Sequence, residues 1–373
     1  MNTIKLPIAL GTFIFLLLAC TPSQAEYTVA PDIPFPLSEP GPYYTGVIED
    51  YTYVDESRDG REVYLSIWYP AKDETNALSM KNAPANKGEA PYPLVLTEYN
   101  TGSEVIEDQL VSHGFVMVEV EGNNPEGSDP GVDELEAQWN VGLLDGPRDI
   151  LFALEQLASN PPEGLEGIID TDHTGVIGYS YGGLRALAVS GARIDPEFYL
   201  ERCRDIASID PPLSDSFISY YCDLTNYWEQ FVAHDGRGIS ESADGLWQPL
   251  TDERILAVMP MGPEGAFLFG ERGLAAVDRP TMIIAGSSDD ITPYDLEAAY
   301  IYEHLGTPER YLISFVDQGH FMVDDPEQVK RLNHFVTAFL GHHLKGREDF
   351  AEYFSEDYVA QYDDLAWGVY ENE

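Results

Sequence analysis

Thr174-Gly175-Val176-Ile177-Gly178-Tyr179-Ser180-Tyr181-Gly182-Gly183 leads from a short apolar segment into Leu184-Arg185-Ala186-Leu187-Ala188-Val189-Ser190. The first part predicts a buried strand over 174–178, and the second a helix of small and apolar residues over 183–190. Between them, Gly178-Tyr179-Ser180-Tyr181-Gly182 has the G-x-S-x-G spacing of a nucleophile elbow, a strand-to-helix turn that lifts a serine hydroxyl above a sheet. Its glycines allow the tight turn and the close helix–strand approach that such a turn requires. The spacing alone recurs by chance. The strand before it and the helix after it make Ser180 the candidate nucleophile.

Outward from this turn, short apolar strands alternate with helical patterns, the signature of a parallel sheet wrapped by helices. Upstream, strands are expected at 94–97 and 115–120 with a helix between them, then a helix over 147–158 with Pro147 in its first turn. Downstream, strands are expected at 255–259, 281–285 and 311–316, and a closing helix at about 327–340. Before all of these, 47–54 and 62–69 alternate like the arms of an antiparallel hairpin around Ser57-Arg58-Asp59-Gly60.

Residues 194–251 are not needed by this alternation. They carry Phe217, Tyr220, Tyr221, Tyr227, Trp228, Phe231 and Trp247, too many aromatics for a disordered loop, and predict an inserted cap over the site; the plainer reading is a peripheral subdomain. Cys203 and Cys222 lie in the same stretch, and their short separation predicts a local disulfide. Residues 346–373 are an acidic, aromatic C-terminal extension.

At the N-terminus, Lys5 and the apolar run 6–19 have the form of a signal peptide, too short to span a bilayer comfortably. Leu17-Leu18-Ala19-Cys20 resembles the lipobox of bacterial lipoproteins, with Cys20 as the lipidated residue; a cut after Ala25 is the competing expectation. Residues 26–42 are Pro-rich and aperiodic, as an extended spacer would be. An exported protein, lipid-anchored at the outer membrane or cell surface, or free in the periplasm or medium, is therefore expected. The membrane enters only through Cys20.

The 373 residues, 44% apolar and 12% aromatic, can bury a large core. Sixty-five acidic residues against twenty basic ones give a net charge of −45, spread along the chain. Such a surface repels nucleic acid and suits solubility in a saline setting. Neither G-x-x-x-x-G-K nor G-x-G-x-x-G occurs, so nucleotide binding has no motif behind it. No cluster of histidine and cysteine has metal-ligand spacing.

A serine hydroxyl needs a base, and the base an orienting carboxylate. Sites in open α/β sheets form at the carboxyl ends of strands. Of eight histidines, His320, in Gln318-Gly319-His320-Phe321, directly follows a strand; His113 and His173 precede strands, His304, His334, His342 and His343 belong to helices, and His234 lies in the insertion. His320 is the candidate base. The chain order that accompanies a nucleophile elbow places the carboxylate between serine and histidine, which points to the loop Gly286-Ser287-Ser288-Asp289-Asp290. Asp289 and Asp290 both fit there, and Asp317 is a third candidate. The oxyanion hole needs two amides, expected from Tyr181 and from the loop after 94–97, where Thr101 is chosen.

From about 41 to 344 the chain resembles the bacterial branch of α/β hydrolases related to dienelactone hydrolases and secreted platelet-activating-factor acetylhydrolases. The resemblance rests on Ile67-Trp68-Tyr69-Pro70, the elbow, Arg254-Ile255 with Pro280, Gly286, Asp289-Asp290-Ile291-Thr292-Pro293, and Gly319-His320-Phe321. The family's Asp four residues before a Pro selects Asp289. Two departures stand out. Tyr99-Asn100 replaces the usual His-Gly after the third strand, and a serine replaces the cysteine nucleophile of dienelactone hydrolases proper. The resemblance implies an α/β-hydrolase fold and a cofactor-free serine esterase acting on short-chain or acetyl esters, lipid-derived ones included. Its alternatives are a serine peptidase, whose relatives normally carry a large further domain, and a non-catalytic lipid- or polymer-binding surface protein.

Overall fold

The computed structural model describes residues 34–98, 105–122, 141–209, 213–234 and 242–371. The signal segment, Cys20, most of the spacer, Tyr99-Asn100 and Thr101 lie outside them. Nine strands form one sheet in the order β1-β2-β4-β3-β5-β6-β7-β8-β9. β1 (Tyr44–Asp55) and β2 (Arg61–Ala71) make the antiparallel hairpin. β3 (Tyr92–Glu98), β4 (Val116–Gly122), β5 (Ile169–Tyr179), β6 (Ile255–Met261), β7 (Thr281–Gly286) and β8 (Arg310–Phe315) are parallel. The protein is thus α/β, with one mostly parallel sheet flanked by helices.

The helices, in chain order, are α1 (Glu107–Ser112), α2 (Gly146–Ser159), α3 (Tyr181–Val189), α4 (Pro196–Arg204), α5 (Asp215–Cys222) and α6 (Trp228–His234). They continue with α7 (Ala266–Leu274), α8 (Ala298–His304), α9 (Pro326–Lys345) and α10 (Glu356–Val359). Successive strand residues point to opposite faces, so the apolar runs fill two cores at once. Val95, Met117, Ile177 and Ile313 pack under α1 and α9. Leu94, Val118 and Val176 pack under α2, and Ile283 and Leu312 against α8.

The chain runs from β3 to β4, then back past β3 to β5, with α1 and α2 on opposite faces of the sheet. In open α/β sheets a reversal of this kind marks the carboxyl-end position at which sites form, here between β3 and β5. Ser180 follows β5 directly.

Three sequence-based boundaries need correction. β5 begins at Ile169 rather than 174, because its polar Asp170–His173 stretch makes a register shift between Pro93 and Leu94 pairing that alternation alone conceals. The described end of the expected spacer is part of the body: Leu37 is fully buried, its amide donates to Nδ1 of His334 at 3.1 Å, and Phe35 stacks on Tyr362 at 4.4 Å. Nor is 346–373 an appendage. Phe350, Phe354 and Val359 enter the core beside α9, and Leu365–Trp367 adds β9 antiparallel to β8. Both segments lack periodicity because isolated apolar residues, not a regular face, dock them.

Candidate functional site

The elbow is held by backbone geometry. Ser180 has φ 55° and ψ −118°, a strained conformation for a residue with a side chain, and caps the start of α3. The helix therefore begins two residues before the expected Gly183. A Cβ on Gly178 would lie 2.1 Å from the Gly182 carbonyl oxygen, so the turn closes only with glycine there. The Ser180 amide donates to Met261 at the end of β6 at 2.9 Å.

The other two groups come from the ends of β7 and β8. His320 Nε2 is 3.0 Å from Ser180 Oγ, and Nδ1 is 2.8 Å from Asp289 Oδ2. With the proton on Nδ1 donated to Asp289, Nε2 is left to accept from the serine hydroxyl. The His320 side chain is 5% exposed and that of Asp289 1%, so little water competes for these bonds. Asp289 is itself held: Oδ1 accepts from the amides of Ile291 and Thr292 at 3.0 and 2.9 Å, and Oδ2 from Thr292 Oγ1 at 2.8 Å. The two loops meet through backbone, with the Ser288 amide donating to Gln318 at 2.8 Å. A Cβ on Gly286 would fall 2.3 Å from that same carbonyl oxygen. Tyr179, buried beneath the histidine, donates its hydroxyl hydrogen to the His320 carbonyl.

The structure thus brings Ser180, His320 and Asp289 into one hydrogen-bonded chain and leaves the other two carboxylates aside. Asp290 is exposed. Asp317 sits in a left-handed turn with φ 61°, its amide donating to Ser287 Oγ. Tyr181 is the first residue of α3, at the end of the helix where the dipole favours negative charge. Its ring lies 5.4 Å from the Arg185 guanidinium, which pairs with Glu98 at the end of β3 at 2.6 Å. Burial raises the Glu98 carboxyl above its ordinary value, against the pull of Arg185.

Sequence reasoning missed Thr292 as a brace for Asp289 and Glu264 as a neighbour of the nucleophile; the Glu264 amide donates to the Ser180 carbonyl at 3.3 Å. Thr292 stood in a motif already quoted, three residues after the aspartate, where a hydroxyl can reach back to the carboxylate. Nothing in Gly262-Pro263-Glu264-Gly265 signalled the other.

In the insertion, Cys203 and Cys222 form a disulfide with Cα atoms 5.4 Å apart, joining α4 to α5. Phe231 and Trp247 stack at 5.3 Å in a core shared with Leu184 and Leu187 of α3. Tyr221 packs on Phe267, and the Tyr220 hydroxyl donates to Glu264 at 3.2 Å. The insertion has its own aromatic core and reaches the neighbourhood of Ser180 through this tyrosine pair. Among the described residues, no helix is long and apolar enough to cross a membrane.

No family model matches the sequence, and no curated protein does.

Proposed function

We propose that this protein is a serine hydrolase of the α/β-hydrolase type, cleaving carboxylic esters through an acyl-enzyme. The observation that carries the reading is the relay Ser180 Oγ–His320 Nε2 at 3.0 Å and His320 Nδ1–Asp289 Oδ2 at 2.8 Å, assembled from the carboxyl ends of three parallel strands. His320 takes the Ser180 proton as Oγ attacks the ester carbonyl, and Asp289 stabilises the imidazolium that results. The Tyr181 amide, at the head of α3, stabilises the oxyanion together with an amide from the loop after β3, Thr101 in the sequence reading. His320 then gives the proton to the departing alkoxide, and water repeats the sequence on the acyl-enzyme.

The resemblance to dienelactone hydrolases and platelet-activating-factor acetylhydrolases favours short-chain or acetyl esters as substrates. The signal-like N-terminus and the disulfide favour export, with lipidation at Cys20 as the proposed anchor. A fluorophosphonate probe tests the chemistry, since only an activated serine is labelled. The wild type is expected to be labelled and to hydrolyse p-nitrophenyl acetate, and Ser180→Ala, which removes one oxygen and little packing, to do neither. Labelling or turnover that survives the substitution would overturn the reading.

A further inference from the structure

The loop after β7 carries a buried hydroxyl that stands outside the relay and touches two of its members. Thr292, 2% exposed, follows Asp289 by three residues. Its Oγ1 lies 2.8 Å from Asp289 Oδ2, 3.2 Å from His320 Nδ1 and 3.2 Å from the carbonyl oxygen of Gly262. One oxygen thus meets the loops that follow β6, β7 and β8. The Thr292 amide donates to Asp289 Oδ1 at 2.9 Å, beside that of Ile291 at 3.0 Å.

A hydroxyl has one proton to give, and of the two oxygen acceptors in reach the carboxylate is both nearer and charged. Thr292 therefore donates to Asp289 Oδ2, the same oxygen that receives the Nδ1 proton of His320 at 2.8 Å. Asp289 accepts four donors in all, two amides on Oδ1 and the hydroxyl and imidazole on Oδ2. These bonds draw on one carboxylate charge, so each donor weakens the hold on the others. The sharing matters to a base. An imidazole must be neutral to take the Ser180 proton, and a carboxylate with no other donor on the facing oxygen holds it more strongly as imidazolium.

We propose that Thr292 is a positioning residue that sets the pH range of the reaction: its hydroxyl shares Asp289 Oδ2 with His320, so the carboxylate orients the ring without keeping it protonated. The inference rests on the hydrolase reading and adds to it a residue that acts through Asp289 and His320. Without the hydroxyl, Oδ2 is left to the imidazole alone, imidazolium persists to higher pH, and the acid limb of kcat/KM moves up. The other titratable groups bearing on this cluster are Glu264, on the loop after β6, and Tyr179 and Tyr221, which feel the Asp289 charge; Asp324 acts on Tyr179. Burial raises Glu264 to about 7, within the range where a histidine base titrates, so its contribution has to be separated.

The test compares Thr292→Val, which keeps the shape and loses the hydroxyl, with Thr292→Ser, which keeps the hydroxyl and loses a methyl. Profiles of kcat/KM for p-nitrophenyl acetate are measured from pH 5 to 9. In Thr292→Val the acid limb is expected about one pH unit higher, which lowers the rate at pH 6 about tenfold and leaves the alkaline plateau within about threefold of wild type. Thr292→Ala, which also lacks the hydroxyl, should move the limb by the same amount and keeps the comparison open if Thr292→Val folds poorly. Thr292→Ser should keep the wild-type limb despite its smaller side chain. The displacement should recur when Thr292→Val is made in Glu264→Gln, where the second titration is gone. The low-field proton resonance of His320 Nδ1–H reads the same bond without turnover, and should move further downfield in Thr292→Val and not in Thr292→Ser. A limb that stays in place or moves down, a serine variant that behaves like the valine one, or a displacement absent from Glu264→Gln would overturn the role of Thr292 with the esterase intact. A wild type that hydrolyses no ester would sink the hydrolase reading, and the resonance alone would then decide for or against the shared oxygen.

Discussion

Asp289 and Asp290 are neighbours, yet only one of them faces the histidine. Adjacent residues of an extended loop point apart, and the loop's direction is set by the Ile291 and Thr292 amides that hold Asp289 Oδ1. Replacing Asp289 by Asn keeps the shape but removes the charge that stabilises the imidazolium and the acceptor that fixes its tautomer. In a serine protease the equivalent change costs ~10⁴ in turnover. Asp289→Asn is therefore expected to lower kcat by orders of magnitude, while Asp290→Asn, at an exposed position, stays near wild type. Steady-state rates on a p-nitrophenyl ester decide between them, and the reverse ranking would move the acid by one residue. The sequence narrowed the acid to this loop; which carboxylate meets Nδ1 depends on hydrogen bonds that adjacent letters do not encode.

At the scale of elements, the disulfide between α4 and α5 closes a loop with a sequence separation of 19 residues. On the chain-entropy model a loop of this size stabilises by roughly 3 kcal/mol. The bridge also holds the end of α5 that presents Tyr220 to Glu264 and Tyr221 to Phe267. Cys203→Ser with Cys222→Ser is accordingly expected to lower the melting temperature and to change KM across a series of p-nitrophenyl esters of graded length. A lower melting temperature with unaltered selectivity would make the insertion scaffolding rather than a wall of the site. Aromatic content marked the insertion in the sequence. Which of its rings turn inward and which approach Ser180 is set by packing against α3 and α7.

Across the whole molecule, two sets of buried ionisable groups oppose each other. Burial lowers His113 and His343 to about 4 and His334 to about 3, all in the layer around α9. Below the ordinary histidine value of 6.5 the unfolded chain binds protons that the folded one refuses, so these three groups reduce stability as pH falls. Glu264 and Glu297 are raised instead. Above the ordinary value of 4.5 the unfolded chain ionises them before the folded one does, so they reduce stability as pH rises. The two slopes largely cancel between about 4.5 and 6.5, which predicts a broad stability maximum there, with loss on either side. Melting curves from pH 4 to 8 in ~1 M salt, which screens the −45 surface, provide the check. Glu297→Gln should stabilise increasingly as pH rises above 4.5; a gain independent of pH would show that Glu297 ionises in the folded protein as it does in water.

What the sequence determined by itself is what short stretches encode. Continuous apolar runs specified strands buried on both faces, the glycines around Ser180 specified the elbow, and the positions of His320 and the Asp289-Asp290 pair after strands placed them at one edge of the sheet. These signals are local because strand burial and turn geometry depend on a few neighbouring residues. The tertiary structure alone decided how Phe35, Leu37, Phe350 and Phe354 join the core around α9. It also decided how Leu365–Trp367 closes the sheet, and that Glu264 and Tyr221 line one cleft. Each of those outcomes is a contact between segments far apart in the chain, where burial and charge come from the partner and leave no periodicity in the residues themselves.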